Sequence, residues 1–161
     1  MVSIMDEALQ LEVGHKVLEV GGGSGWHAST IAEIVAPSDA PKEKWGHVYT
    51  IERISELASF AKDNIEKAGY GDRITVIHYD GTLGYAEEAP YDRILVAAAG
   101  PEIPKPLLQQ LKENGILLLP VGGMQFYQTL IRIRKKGEKF IEENLGGVAF
   151  VPLIGKHGFK L

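Results

Sequence analysis

The stretch "KVLEVGGGSGWHAS", Lys16 to Ser29, constrains the fold more than any other part of the chain. A short apolar segment runs directly into Gly21, Gly22, Gly23 and Gly25, and then into residues with helical apolar spacing. A strand, a glycine turn and a helix in that order open an α/β sheet whose first turn lets backbone approach a ligand closely. The same alternation continues downstream. "HVYTIE", "ITVIHYD", "DRILVAAA" and "ILLLPVGG" read as further strands. "WHASTIAEIVA", stopped by Pro37, "ISELASFAKDNIEKAGY", closed by Gly69, and "PLLQQLKENG" read as helices. Val2, Met5, Ala8 and Leu9 mark one more helix, ending before Gly14. Pro37 to Gly46 is a polar, two-proline connection and reads as a surface insertion.

The last third changes period. "QTLIRIRKKGEKFIEENL" alternates around a Lys-Gly-Glu turn and predicts a hairpin, and "GGVAFVPLIG" predicts one more strand. The expected fold is therefore α/β: one domain over residues 1–161, a mostly parallel, doubly wound sheet finished by antiparallel strands. A chain of 161 residues with 45% hydrophobic content is long enough to bury a core of that kind.

Charge and composition exclude several functions. The net charge of −4 argues against a nucleic-acid partner, and "RIRKK" (Arg132 to Lys136) reads as a solvated hairpin end. No apolar run approaches a membrane span, and Asp6 and Glu7 stand where a signal peptide would carry positive charge. The chain has no cysteine, which removes disulfides and thiolate chemistry and is compatible with a cytoplasmic setting. The five histidines (His15, His27, His47, His78, His157) have no ligand-like spacing and read as surface or strand residues, so no metal site is expected.

The glycine pattern narrows the ligand. A dinucleotide fingerprint starting at Gly21 requires glycine where Trp26 stands, and one starting at Gly22 requires it where Ser24 stands. The pattern is instead E-x-G-x-G-x-G from Glu19 to Gly25. S-adenosyl-L-methionine has no phosphate, and needs only tight backbone approach to its amino-acid part and ribose, with Glu19 reaching this neighbourhood through the loop amides. A structural turn and a dinucleotide loop stay open beside this reading. Two acids favour the methyl donor. Glu52, in "YTIER" with Arg53, ends the second strand, where a carboxylate can accept both ribose hydroxyls. Its distance from the glycines exceeds the usual spacing by the Pro37–Gly46 insertion. Asp80 ends the third strand in "HYDGT", where it can accept from an adenine amino group while Gly81 lets the chain turn; it can equally be a cap. The expected cofactor contacts are Glu19, Gly21, Gly22, Gly23, Ser24, Gly25, Glu52, Arg53, Asp80 and Gly81.

Together with these residues, "APYDRILVAAAGPEIP", "LLLPVGG" and "GGVAFVPLIGKHG" make the chain resemble the protein-L-isoaspartate O-methyltransferase family over essentially its whole length. The resemblance implies a Rossmann-like S-adenosylmethionine-dependent methyltransferase fold. It implies methyl transfer to the abnormal α-carboxylate of isoaspartyl peptides and proteins, the first step of their repair, with S-adenosyl-L-homocysteine as product. It also implies that Val151, Pro152 and Leu153 stand beside the acceptor peptide, although a core-filling strand accounts for them equally well. Small walls in "LVAAAGPEIP" replace the Asn/Asp-Pro-Pro-aromatic stretch of nitrogen methyltransferases and disfavour a base or amide acceptor.

The resemblance further implies a segment ahead of Met1. That segment ends in a Thr/Ser-Ile-Ser-Ala-Pro-His-Met loop that closes over the acceptor and supplies the active-site serine. "MVSIM" begins at that methionine, and Ser3 lies after it, so no catalytic residue is assigned. Residues 1–161 are then expected to hold the methyl donor while methylating isoaspartyl peptide weakly. Apolar surface left beside the cofactor would favour a homo-oligomer. A cofactor-binding module without autonomous activity, or a methyltransferase for another acceptor, are the alternatives.

Overall fold

The apolar runs form strands whose side chains alternate between two buried layers. The computed structural model describes residues 1–125 and 127–161. In chain order its elements are α1 (Val2–Leu9), β1 (Lys16–Val20), α2 (Trp26–Val35), β2 (His47–Glu52), α3 (Ser55–Lys67), β3 (Ile74–His78), β4 (Tyr91–Val96), α4 (Lys105–Gln109), β5 (Leu111–Gly122), β6 (Gln128–Lys136) and β7 (Lys139–Val148). The strands hydrogen-bond in the order β3-β2-β1-β4-β5-β6-β7. β1 to β5 pair in parallel, and β6 and β7 follow as an antiparallel meander. This is the doubly wound sheet with antiparallel C-terminal strands that the sequence predicts.

Successive residues of the central strands point to opposite faces, and both faces are covered. Val17, Leu95 and Leu118 pack with Met5, Leu9, Ile31 and Val35 on one side. Leu18, Ile94 and Leu117 pack with Tyr91 and Leu107 on the other. The helix α1 is held to the sheet at its C-terminus, where carbonyls lack intrahelical partners. Arg93 Nε donates to Leu9 O at 2.5 Å, Arg93 Nη2 to Gln10 O at 3.2 Å, and Arg132 Nη1 to Ala8 O at 3.2 Å. Cations at that end also complement the helix dipole.

Three sequence expectations need correction. The helix predicted over "PLLQQLKENG" ends at Gln109. Leu111 and Ile116 both pair with β4, and the exposed residues between them bulge out, with Asn114 at φ 63°. Burial of those two apolar side chains outweighs helical continuation. The strand predicted over "GGVAFVPLIG" is divided: Val148 ends β7, and the chain then leaves the sheet to bridge Pro152 to Ala99. Proline lacks the N–H that a continuing strand would need. Lastly, "RIRKK" is not simply a solvated end. Arg132 and Arg134 both hold Glu143, at 2.8 and 2.9 Å, and Lys135 Nζ donates to Leu111 O. Their hydrogen bonds hold the Glu143 carboxyl down to about 2.

The Pro37–Gly46 connection is anchored by one side chain. Arg73 is buried, and its guanidinium lies 4.8 Å from the Trp45 ring centre and 4.2 Å from that of Tyr70. It donates to Ala36 O at 3.0 Å, Gly69 O at 3.0 Å and Ser38 Oγ at 3.2 Å. One planar cation thus ties the insertion to the end of α3 through stacking and forked donors. Arg73→Ala should destabilise the fold by about 2–4 kcal/mol, because it strips a partner from the buried Ala36 carbonyl and removes the stacking on Trp45 and Tyr70. Arg73→Lys should recover only part of that loss; urea unfolding of both variants checks this.

Candidate functional site

β1 sits between β2 and β4, so the crossovers leave its two sides in opposite directions and open a crevice at the strand ends. A cavity of about 570 Å³ occupies that crevice. Gly21, Gly23, Glu52, Arg53, Gly81, Val151, Pro152 and Leu153 line it, all named from the sequence. Ala97 and Ala98 of the small-walled stretch join them. Ile54 and Leu57 line it as well and were not anticipated, although apolar residues opening a helix beside Glu52 were a usable signal.

The glycine loop is shaped by its own amides. Gly21 N and Gly22 N both donate to Ile51 O, at 2.9 and 3.0 Å. A Cβ on Gly22 would lie 2.6 Å from Thr50 Oγ1. Gly25 has φ +87°, and a Cβ there would lie 3.0 Å from Ile65 Cγ1 and 3.1 Å from Ala61 O. Gly25 therefore allows α2 to pack on α3, while Trp26 turns outward, 68% exposed.

Glu52 is buried at the end of β2. Its Oε2 accepts from Gly23 N at 3.0 Å, and its Oε1 accepts from Ile54 N at 2.9 Å. Each oxygen keeps a further lone pair for a donor in the cleft. Asp80 caps the turn that follows β3. Its Oδ1 accepts from Thr82 N at 2.9 Å and Thr82 Oγ1 at 2.7 Å, and its Oδ2 from Lys156 N at 2.9 Å. Burial opposes ionisation there, but these donors together hold Asp80 below the usual carboxylate range. Gly81 opens the turn, Gly84 N donating to its carbonyl at 3.0 Å, but without a positive φ. It is required for close approach: a Cβ would meet Val20 Cγ1 at 2.3 Å.

Glu19 is the clearest departure from expectation. It does not reach the loop amides; it is fully buried under the loop and accepts from Thr50 Oγ1 at 2.5 Å. The isolated strand pattern could not show that its partner would come from β2. His27 departs too: it is neither a surface nor a strand residue, but lies on α2 with Nε2 2.7 Å from Asp6 Oδ1. Ser24 and Gly25 face away from the cleft, into a groove of about 610 Å³ between α2 and α3. The Glu33 carboxylate in that groove is occupied by Ser38, Tyr70 and Arg73, so no free chemistry converges there.

The acceptor-side wall is built by a crossing. Ala99 N donates to Val151 O and Leu153 N to Ala99 O, both at 2.8 Å. Gln128 steers the approach, its Oε1 accepting from Phe150 N at 2.6 Å. Val151 is left 69% exposed and Leu153 is buried, so the segment both presents and fills. Among the described residues no group of three or more His, Cys, Asp or Glu could hold a metal ion. Among them, too, no helix is long and apolar enough to cross a membrane.

Comparison with known proteins gives these features a family. The model for the protein-L-isoaspartate(D-aspartate) O-methyltransferase family matches residues 1–158. The chain belongs to that family. It is 52% identical over 160 residues to the protein-L-isoaspartate O-methyltransferase of Hyperthermus butylicus, covering 99% of this chain and 66% of that one. It is 53% identical to the Staphylothermus marinus enzyme, covering 99% and 70%. A solved protein-L-isoaspartate O-methyltransferase superposes with TM-score 0.86 at 28% identity, over 98% of this chain and 47% of that one. A Plasmodium falciparum protein described under the same family name, in complex with S-adenosyl-L-homocysteine, gives TM-score 0.79 at 27% identity, over 95% and 71%. The chain thus spans about two thirds of these curated relatives and about half of the first solved structure.

The fold is sensitive to substitution where β1 and the Asp80 turn touch. Gly81→Ala should cost about 1–3 kcal/mol of stability by forcing Val20 aside. Chemical denaturation measures the loss, which should be accompanied by weaker ligand binding in the cleft.

Proposed function

We propose that residues 1–161 form one S-adenosyl-L-methionine-binding domain that takes part in methyl esterification of isoaspartyl carboxylates in damaged peptides and proteins. The single observation that carries the cofactor reading is the joint placement of the open glycine loop and the Glu52 carboxylate around one strand-end cavity. The complex of the Plasmodium relative with S-adenosyl-L-homocysteine supports it, as does the fit of the cleft. Gly21 and Gly23 leave backbone bare on the donor side, and Glu52 retains acceptor capacity suited to a ribose diol. Ile51, Ile54 and Leu57 offer an apolar surface for a planar base. Asp80 keeps one lone pair on Oδ2 for an exocyclic amine, even while capping the turn.

When bound, the cofactor supplies an electrophilic methyl group on a sulfonium. The acceptor carboxylate is ionised at neutral pH, so no general base is demanded of the protein. Gly21, Gly23 and Glu52 would hold the cofactor so that an acceptor oxygen could take the methyl in line, the carbon–sulfur electron pair remaining on sulfur. The protein's part is alignment and exclusion of water, which can be worth several kcal/mol. Ala97 and Ala98 leave room for an acceptor backbone, and exposed Val151 offers it an apolar edge. Protein repair in the cytoplasm is the setting proposed, in keeping with a cysteine-free chain.

Calorimetry with S-adenosyl-L-homocysteine should show binding, and Glu52→Ala should weaken it by about 1.5–3 kcal/mol. Binding of a nicotinamide dinucleotide in place of S-adenosyl-L-homocysteine would overturn the cofactor reading. In a methyl-transfer screen, isoaspartyl peptide should be preferred over the matching aspartyl peptide and over RNA. Equal labelling of all three would overturn the acceptor reading.

A further inference from the structure

Below the glycine loop, α1, α2, β1 and β2 meet in a line of polar groups that methyl transfer itself does not use. Asp6 Oδ1, on α1, lies 2.7 Å from His27 Nε2. On the other side of the ring, His27 Nδ1 lies 3.8 Å from Glu19 Oε2. Glu19 Oε1 accepts from Thr50 Oγ1 at 2.5 Å, and Thr50 Oγ1 is the atom on which Gly22 is seated. The line therefore runs from the first helix to the turn that faces the cleft.

Glu19 Oε2 is buried and has no hydrogen-bond partner. A carboxylate in that position is costly as an anion unless a cation faces it. Among the described residues, the cationic group that faces it is the His27 ring. Asp6 from α1 and Glu52 from β2 complete the side-chain charges that act on the pair. Burial pushes the Glu19 carboxyl up to about 7, against the opposing pull of His27 and Thr50. Burial alone would lower His27, but the Asp6 hydrogen bond and the Glu19 and Asp6 charges outweigh it and leave the ring above its ordinary value. Both groups therefore hold protons more tightly than in an open chain.

We propose that His27 is a positioning residue for the cofactor loop: clamped between Asp6 and Glu19, its imidazolium holds the acidic end of β1 and, through Thr50, the seat of Gly22, so that cofactor affinity is linked to a proton shared by this cluster. The proposal rests on the reading of the strand-end cleft as an S-adenosyl-L-methionine site. When the last proton leaves, Asp6 and Glu19 face a neutral ring with Glu52 close by. Mutual repulsion then separates the end of β1 from α1 and β2, where Gly22 packs. The protonated cluster is the one that keeps the loop in place. Because its proton affinity is raised in the folded protein, that support is fully present at acidic pH. It is withdrawn as pH rises through the cluster's last titration. Linkage then requires a bound cofactor to tighten the proton in turn.

Nuclear magnetic resonance of the His27 ring nitrogens from about pH 5 to 9, with and without S-adenosyl-L-homocysteine, tests this in the unaltered protein. The product is the better probe, since it lacks the sulfonium charge that would act on the cluster directly. Saturation should move the last deprotonation upward by about half a pH unit or more. By reciprocity, affinity for the product should fall about threefold across the same titration, as calorimetry on the same samples would show. In His27→Gln, which can still donate to Asp6 but carries no charge, that fall should move to higher pH, because Glu19 then loses the cation that held its carboxyl down. Superimposed ring titrations in samples that do bind the product overturn the positioning role. Absence of any binding overturns the cofactor reading instead, and the proposal with it.

Discussion

The hydrogen bonding of β1 to β2 on one side and β4 on the other is the constraint on which the rest depends. A parallel strand with neighbours on both edges has nowhere to send its C-terminal turn except upward, away from the sheet. Right-handed crossovers to either side then leave an open space above it. Everything that makes the space chemically specific is placed by that pairing: the glycine loop after β1, Glu52 at the end of β2, and the small residues after β4. The register couples them closely, since Val20 aligns with Ile51 and with Val96.

Much of this was legible in the sequence because it is local. The glycine cluster, the alternation of strands and helices, and the acid ending "YTIE" each show themselves within a few residues. The family-specific stretches extended that reading to the whole chain. What was illegible depends on distant partners. Glu19 looks set to reach the loop amides until Thr50 arrives from the next strand, and His27 looks like surface until Asp6 comes down on it from α1. The "PLLQQLKENG" pattern suits a helix until Leu111 and Ile116 find β4. In each case tertiary burial overrides a local preference.

Two of the sequence readings were right about place and incomplete about role. Asp80 stands two residues beyond β3, close to the expected place, yet its oxygens bind Thr82 and Lys156, so it fastens the C-terminal segment before any ligand is considered. Gly81 opens the expected turn, but glycine is required there for the sake of Val20 and not for a positive φ. A residue type can thus be recognised correctly while the force that selects it is misread. Space is harder to infer from sequence than chirality or charge.

The crossing at Ala99 has a kinetic consequence. The donor side of the cleft is built from adjacent βαβ units, whose contacts span short stretches of chain. The wall formed by Val151 and Leu153 bonds back to Ala99 only after β5, β6 and β7 have been laid down. Closing so long a loop is entropically slow, and it gains nothing until both ends are ordered. The two sides of the cleft are therefore assembled at different times. A chain emerging from the ribosome exposes the residues of the glycine loop well before it has anything to place opposite them.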